Sequence, residues 1–333
     1  MSATQKNTLR LVQFNVENLF IFLDTPQRHD FKKMTEAEWR GLSGSTAPNK
    51  PLKKLWGLAQ IIGEIKPDIL MLNEVGGLES LENFNRIFLE DRFIPHLVEG
   101  NSHRGIDVGY LIRKDLNVKA ILLSHKNRPL NFLYPHETQT PTGGKSHYFS
   151  RDVAELRLFR PQDTSPCLTI LLTHLKSKLD TEKIDGGGRL RRAAELKTLV
   201  EIYNEVRKEL SKDSCIVVAG DFNGIAAPSH PEEEFLPIYE KTDLKDSLEI
   251  TEIPSEKRFT QVQITPSGQQ QLIQIDYIFV SPSLSERLVR EETFVYHYKN
   301  ELGHAAPLPR NIEERALLPS DHYPVVVTVK LKE

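Results

Sequence analysis

LPSDHYPVVVTV, residues 318 to 329, leaves a polar loop and enters a run apolar enough to be a buried strand. Asp321 and His322 stand side by side at that entrance. Neighbours on an extended chain point to opposite faces, so each must find its partners elsewhere in the fold. Seven earlier runs also read as strands: LRLVQF (9–14), DILMLN (68–73), DVGYLIR (107–113), VAELRLF (153–159), LTILLTH (168–174), CIVVAG (215–220) and IDYIFVS (275–281). Asn15 follows the first and Glu74 the second, His174 ends the fifth, and Asp221 with Asn223 follows the sixth. Asp276, by contrast, opens its strand, as Asp321 and His322 open theirs. If those last two strands run antiparallel to the other four, all six ends meet on one rim.

Taken singly these residues are ordinary. GDFNG passes as a tight turn, and a histidine at a strand end is usually structural. As a set they are costly, because carboxylates gathered on one rim repel and desolvate one another unless a cation or proton is shared. Oxygen donors from Glu, Asp and Asn, with no Cys or His cluster at zinc spacing, suit Mg²⁺ or Mn²⁺. Mg²⁺ held by few protein groups keeps waters and takes phosphate oxygens, which points to phosphate chemistry.

The 333 residues can bury a large core, and no Gly/Ser-rich linker divides them, so one domain over 1–333 is expected. PLKKLWGLAQIIGEI (51–65) and RLRRAAELKTLVEIYNEV (189–206) carry helical apolar faces, and LESLENFNRIF (78–88) reads as a third helix. Strands outnumber helices without the regular alternation of a doubly wound sheet, so mixed sheets covered by helices are expected. Segments 24–50, 124–150, 223–250 and 297–320 read as long loops that shape a site. A net charge of −3 excludes a broad basic surface for long nucleic acid but allows a local basic cleft. No apolar run reaches membrane-spanning length, so no membrane insertion is expected. No export-type segment precedes the first strand, and Cys167 and Cys215 lie in apolar runs. A cytoplasmic protein is the expectation, a removed leader being the alternative.

FNVENL (14–19), LNEV (72–75), THLKS (173–177), GDFN (220–223), IDYIFVS (275–281) and SDH (320–322), in this order, resemble the endonuclease/exonuclease/phosphatase superfamily, which is deoxyribonuclease-I-like. The resemblance implies an α/β, four-layer sandwich, two packed mixed β-sheets flanked by helices. It implies that Asn15, Glu74 and Asp321 bind the divalent ion, and that Asp221 orients and deprotonates the attacking water. Asn223 would bond the phosphoryl group, while His322, held by Asp276, would stabilise developing charge or pass a proton. His174 would assist the leaving oxygen. Arg104, Arg151, Lys176 and Arg189 are candidate substrate contacts, with Arg192 beside them; the Arg cluster reads equally as a solvated helix face. One departure is Asn73 before Glu74, where many members carry Gln, and water is expected to complete its shorter reach.

The implied activity is a metal-dependent phosphodiester hydrolase of nuclease type acting on short or single-stranded nucleic acid, with no evident protein partner. A phosphomonoesterase or a lipid-headgroup hydrolase, sphingomyelinase-like or acting on inositol phosphates, is the alternative on the same scaffold. A binding module without catalysis is a third reading, against which stands the retention of every matched acid, amide and histidine.

Overall fold

The computed structural model describes residues 8–24, 30–139, 145–180, 183–300 and 302–330. The start of the chain, read above for an export signal, lies partly outside them. Strands β1 (Thr8–Leu19), β2 (Ile69–Val75), β3 (Phe93–Leu97) and β4 (Asp107–Arg113) come first. Next are β5 (Lys119–Ser124), β6 (Val153–Phe159), β7 (Leu168–His174), β8 (Ile216–Asp221) and β9 (Lys245–Asp246). The chain ends with β10 (Gln261–Ile264), β11 (Gln270–Ile273), β12 (Asp276–Val280), β13 (Phe294–Val295) and β14 (Val325–Lys330).

They form two mixed six-stranded sheets, ordered β13-β14-β1-β2-β4-β3 and β5-β6-β7-β8-β12-β9, and a separate hairpin, β10-β11. β1 is parallel to β2 and β7 to β8, whereas β14 returns antiparallel on β1 and β12 antiparallel on β8. This is the arrangement that the rim required.

The central strands are apolar on both faces because both faces are covered. Leu70, Leu72, Leu156, Ile170, Val217 and Ile278 belong to one buried cluster that fills the space between the sheets and continues under α1 (Leu52–Ile65) and α2 (Gly77–Phe88). The buried face of α1 takes in Leu52, Leu55, Leu58, Ile61, Ile62 and Ile65, while Trp56 is only half-buried against Phe88. On the far side Val218, Leu171 and Phe279 pack beneath the long helix Arg189–Leu210 through Leu196, Leu199 and Tyr203. The layers are therefore helix, sheet, sheet, helix. Three of the expected loops carry short helices, Glu36–Arg40 in the first, Leu236–Lys241 and Ser247–Ile250 in another and Ile312–Ala316 in the last.

Candidate active site

The rim is built by register. His174 is the cross-strand partner of Asp221 on one side, and Asp276 is its partner on the other. Gly220 sits at φ 143, where an added Cβ would meet Thr173 O at 1.9 Å, so only glycine lets β8 approach β7 before Asp221. Three amides from the first sheet cross to these residues. Asn15 Nδ2 donates to Asp221 Oδ2 at 3.0 Å, and Gln13 Nε2 donates to Asn73 Oδ1 at 2.8 Å and Asp276 Oδ1 at 3.0 Å. Asn73 Nδ2 donates to Thr173 O at 2.8 Å, while Asp221 N donates to Asn73 Oδ1 at 3.2 Å. The shorter amide of Asn73 reaches these partners directly and ties the sheets together.

Asn15 and Glu74 lie inside their strands rather than after them, at a break in register between β1, β2 and β4. There the backbone turns left-handed at Glu17 (φ 49), Asn18 (φ 52) and Glu74 (φ 63), and again at Asn223 (φ 54) on the other sheet. Such conformations cost non-glycine residues on the order of 1 kcal/mol each and gather where side-chain direction matters. Here Glu74 Oε2 accepts from Asn18 N at 3.0 Å, and Asn223 N donates to Asp221 Oδ1 at 2.8 Å.

Electrostatically the centre is divided. Burial, then the neighbouring charge of Asp276, push the Asp221 carboxyl up to about 7. Burial pulls His322 down, but the carboxylates of Asp276, Asp321 and Asp221 outweigh it and raise the imidazole well above its usual range. Its Nδ1 lies 2.7 Å from Asp276 Oδ2. Its Nε2 lies 3.9 Å from Asp221 Oδ2 and 3.0 Å from Gln261 Nε2, so protonating the ring requires Gln261 to turn its oxygen inward. His174 is held neutral by burial and by the positive charge of Arg151, His322 and Arg104; its Nε2 stands 3.6 Å from Asp221 Oδ2.

Among the candidate cations, Arg151 is buried and its Nη1 reaches only Ser150 Oγ, at 3.3 Å. Its Nε has no partner, and among the described residues no carboxylate is within ion-pair distance. The Arg104 guanidinium bonds Asn18 Oδ1 at 2.8 Å, and Lys176 Nζ bonds the carbonyl of Leu179 at 2.6 Å. Arg189 stands apart from this set, paired with Glu233 and with Glu234, and Arg192 is committed to Glu234 at 2.6 Å and to backbone carbonyls.

Sequence reasoning missed Gln13, Glu17, Lys50, Glu195 and Gln261. Glu195 is buried and accepts from Ser150 N at 2.7 Å, Ser150 Oγ at 2.6 Å and Lys176 N at 2.6 Å, fixing the segments before Arg151 and after His174. Lys50 donates to Glu17 O at 2.6 Å, with burial lowering its ammonium to about 8. Glu17 alone carried a signal, its place inside FNVENL.

A two-sheet sandwich with acids, amides and histidines on one edge is the frame of phosphoric-ester hydrolases. The model of the Endonuclease/Exonuclease/phosphatase family matches residues 12–322, and the chain belongs to that family, a divalent-metal-dependent group of such hydrolases. Among solved structures, truncated TDP2 of Caenorhabditis elegans is 16% identical with a TM-score of 0.55, over 97% of this chain and 98% of that one. TDP2 of D. rerio, solved with a single strand DNA product, is 14% identical with a TM-score of 0.57, over 96% and 98%. The human Nocturnin catalytic domain with bound sulfate is 15% identical with a TM-score of 0.56, over 98% and 94%. At these identities the likeness shows the shared fold. A comparison with curated proteins gives no match. No helix among the described residues is long and apolar enough to cross a membrane.

Proposed function

We propose that this chain is a Mg²⁺- or Mn²⁺-dependent phosphodiesterase of nuclease type, attacking phosphorus in line with water. The observation that carries this is the convergence on Asp221, a buried carboxylate whose Oδ2 lies within 4 Å of both His174 Nε2 and His322 Nε2. Burial and the charge of Asp276 raise it toward the range of a general base at neutral pH.

The donor set fits a hard cation. Among the described residues Glu74 Oε2 accepts a single bond and Oε1 accepts none, and Asn15 Oδ1 accepts one, from Glu17 N, leaving a lone pair. Asp321, partly exposed, would complete the set. A dication held there would neutralise charge on the phosphoryl oxygens. Asp221, Asp276 and His322 also lie close enough to hold a metal. Their hydrogen bonds argue for a different task, because Asp276 Oδ2 is engaged by His322 and Asp221 Oδ2 by Asn15.

In this reading Asp221 orients the attacking water and takes its proton, and Asn223, whose Nδ2 also donates to Leu175 O at 3.0 Å, bonds the phosphoryl group through its remaining N–H. His322, kept cationic by Asp276, bonds the developing charge, and neutral His174 donates a hydrogen bond to the leaving oxygen. Arg151, a buried guanidinium lacking a carboxylate, receives a phosphoryl oxygen, with Arg104 and Lys176 at the approach. Four carboxylates on the rim favour a singly charged diester over a dianionic monoester. A short or single-stranded nucleic acid fits the net charge of −3. Free Cys167 and Cys215 support a cytoplasmic setting, and the family match from 12 to 322 supports one domain.

The test is turnover of bis-p-nitrophenyl phosphate, p-nitrophenyl phosphate, a single-stranded oligonucleotide and sphingomyelin with Mg²⁺, Mn²⁺ or EDTA. Diester cleavage abolished by EDTA is expected, with Glu74→Gln raising the half-saturating Mg²⁺ concentration at least about tenfold. Cleavage of monoesters alone, or turnover indifferent to metal, would refute the proposal.

A further inference from the structure

Beside the rim runs a groove of about 700 Å³, lined by Gln261, Gln263 and Gln271 of the β10-β11 hairpin, by the apolar Leu179, Ile264 and Pro266, and by Lys178, Arg315 and Asp321. That volume is in the range of sites that enclose a small ligand. The hairpin's register explains its chemistry. Gln263 faces Gln271 and Gln261 faces Ile273, and side chains alternate along a strand, so the three amides share one face. The opposite face carries Val262, which is buried, and Leu272. Gln261 lines the groove and its amide stands 3.0 Å from His322 Nε2, so a molecule lying in it adjoins the rim.

Its cations differ. Lys178 Nζ is taken by Glu232 Oε1 at 2.8 Å, whereas Arg315 reaches only Val262 O, at 3.4 Å. Among the described residues no carboxylate stands within ion-pair distance of Arg315. A fatty-acyl chain laid here would strip water from the amides and the guanidinium and return no hydrogen bonds. A sugar–phosphate chain satisfies both, since its hydroxyls and base edges exchange hydrogen bonds with amides and its phosphates pair with guanidinium.

We propose that this groove holds the polynucleotide strand next to the scissile phosphate, with Arg315 on a neighbouring phosphate and the glutamine face on the adjoining nucleoside. This deepens the phosphodiesterase reading and rests on it for the direction of the strand, but its test is binding. The full chain with Mg²⁺ is titrated into a short fluorescent phosphorothioate single strand, which resists cleavage, and anisotropy is recorded at several salt concentrations. Arg315→Ala is expected to weaken binding about tenfold and to lower the log–log salt slope by roughly 0.7. Gln271→Ala, at an exposed hairpin position, is expected to weaken it about threefold with the slope unchanged. Wild-type affinity and slope in both variants would overturn the proposal, as would binding of sphingomyelin vesicles but not of the strand. If the strand binds through Arg315 while no diester is hydrolysed, the catalytic reading fails and the groove stands.

Discussion

Replacing Asp276 by Asn removes one negative charge and leaves the shape of the side chain. Asp276 Oδ1 accepts from Gln13 Nε2 at 3.0 Å, and Oδ2 lies 2.7 Å from His322 Nδ1. The amide oxygen stays with Gln13, so the new NH₂ faces Nδ1 and forces the proton to Nε2. His322 then loses the first of the carboxylates that hold it cationic. With the charges about 4 Å apart and an effective dielectric near 20, that attraction is worth ~4 kcal/mol. At about 1.4 kcal/mol per decade, kcat falls roughly 10³-fold if the imidazolium stabilises the transition state. The assay is bis-p-nitrophenyl phosphate hydrolysis at saturating Mg²⁺ near pH 7.5, with thermal melting as a control on folding. KM should stay within about threefold, since Glu74, Asn15 and Arg151 are untouched. A folded Asp276→Asn protein with kcat within about tenfold of wild type would refute the role given to the pair.

Two further outcomes are expected. Burial raises Asp246 from 3.8 to about 6, so folding binds a proton there and stability is lost as pH rises from about 4 through about 6. The loss amounts to ~3 kcal/mol; Asp246→Asn, which keeps an oxygen to accept from Leu248 N, should show in urea titrations a relative gain of that order near pH 7 and none near pH 4. Equal pH dependence in both proteins would contradict this. Glu195→Gln turns an NH₂ toward a backbone donor of Ser150 or Lys176, and should raise KM for a diester about three- to tenfold while kcat changes less. Unchanged KM would show that Glu195 does not position the rim's cations.

The sequence spoke most clearly where burial was complete. DVGYLIR coincides with β4 to the residue, and the apolar runs around LTILLTH and CIVVAG lie within one residue of β7 and β8. What escaped was at the edges. β3 carries Pro95, tolerated because it is an edge strand, and β5 closes the other sheet with four of its six residues exposed. The β10-β11 hairpin is too rich in glutamine to resemble a pair of strands: β10 (QVQI) alternates, but β11 (QQLI) does not. At the site, Asn15, Glu74, His174, Asp221, Asp276 and His322 were legible because each stands within a residue or two of an apolar run in the chain. Gln13, Glu195 and Gln261 were not, because their importance arises from which strand or helix comes to lie across from them.

The amide bridge of Asn15, Gln13 and Asn73 fastens one sheet to the other at the very edge where the chemistry would occur. Catalytic competence is thereby made hostage to the alignment of the two halves. On the reading proposed above, a slip that far-ultraviolet spectroscopy would miss would draw Asp221 away from Asn15 and Glu74 and silence turnover.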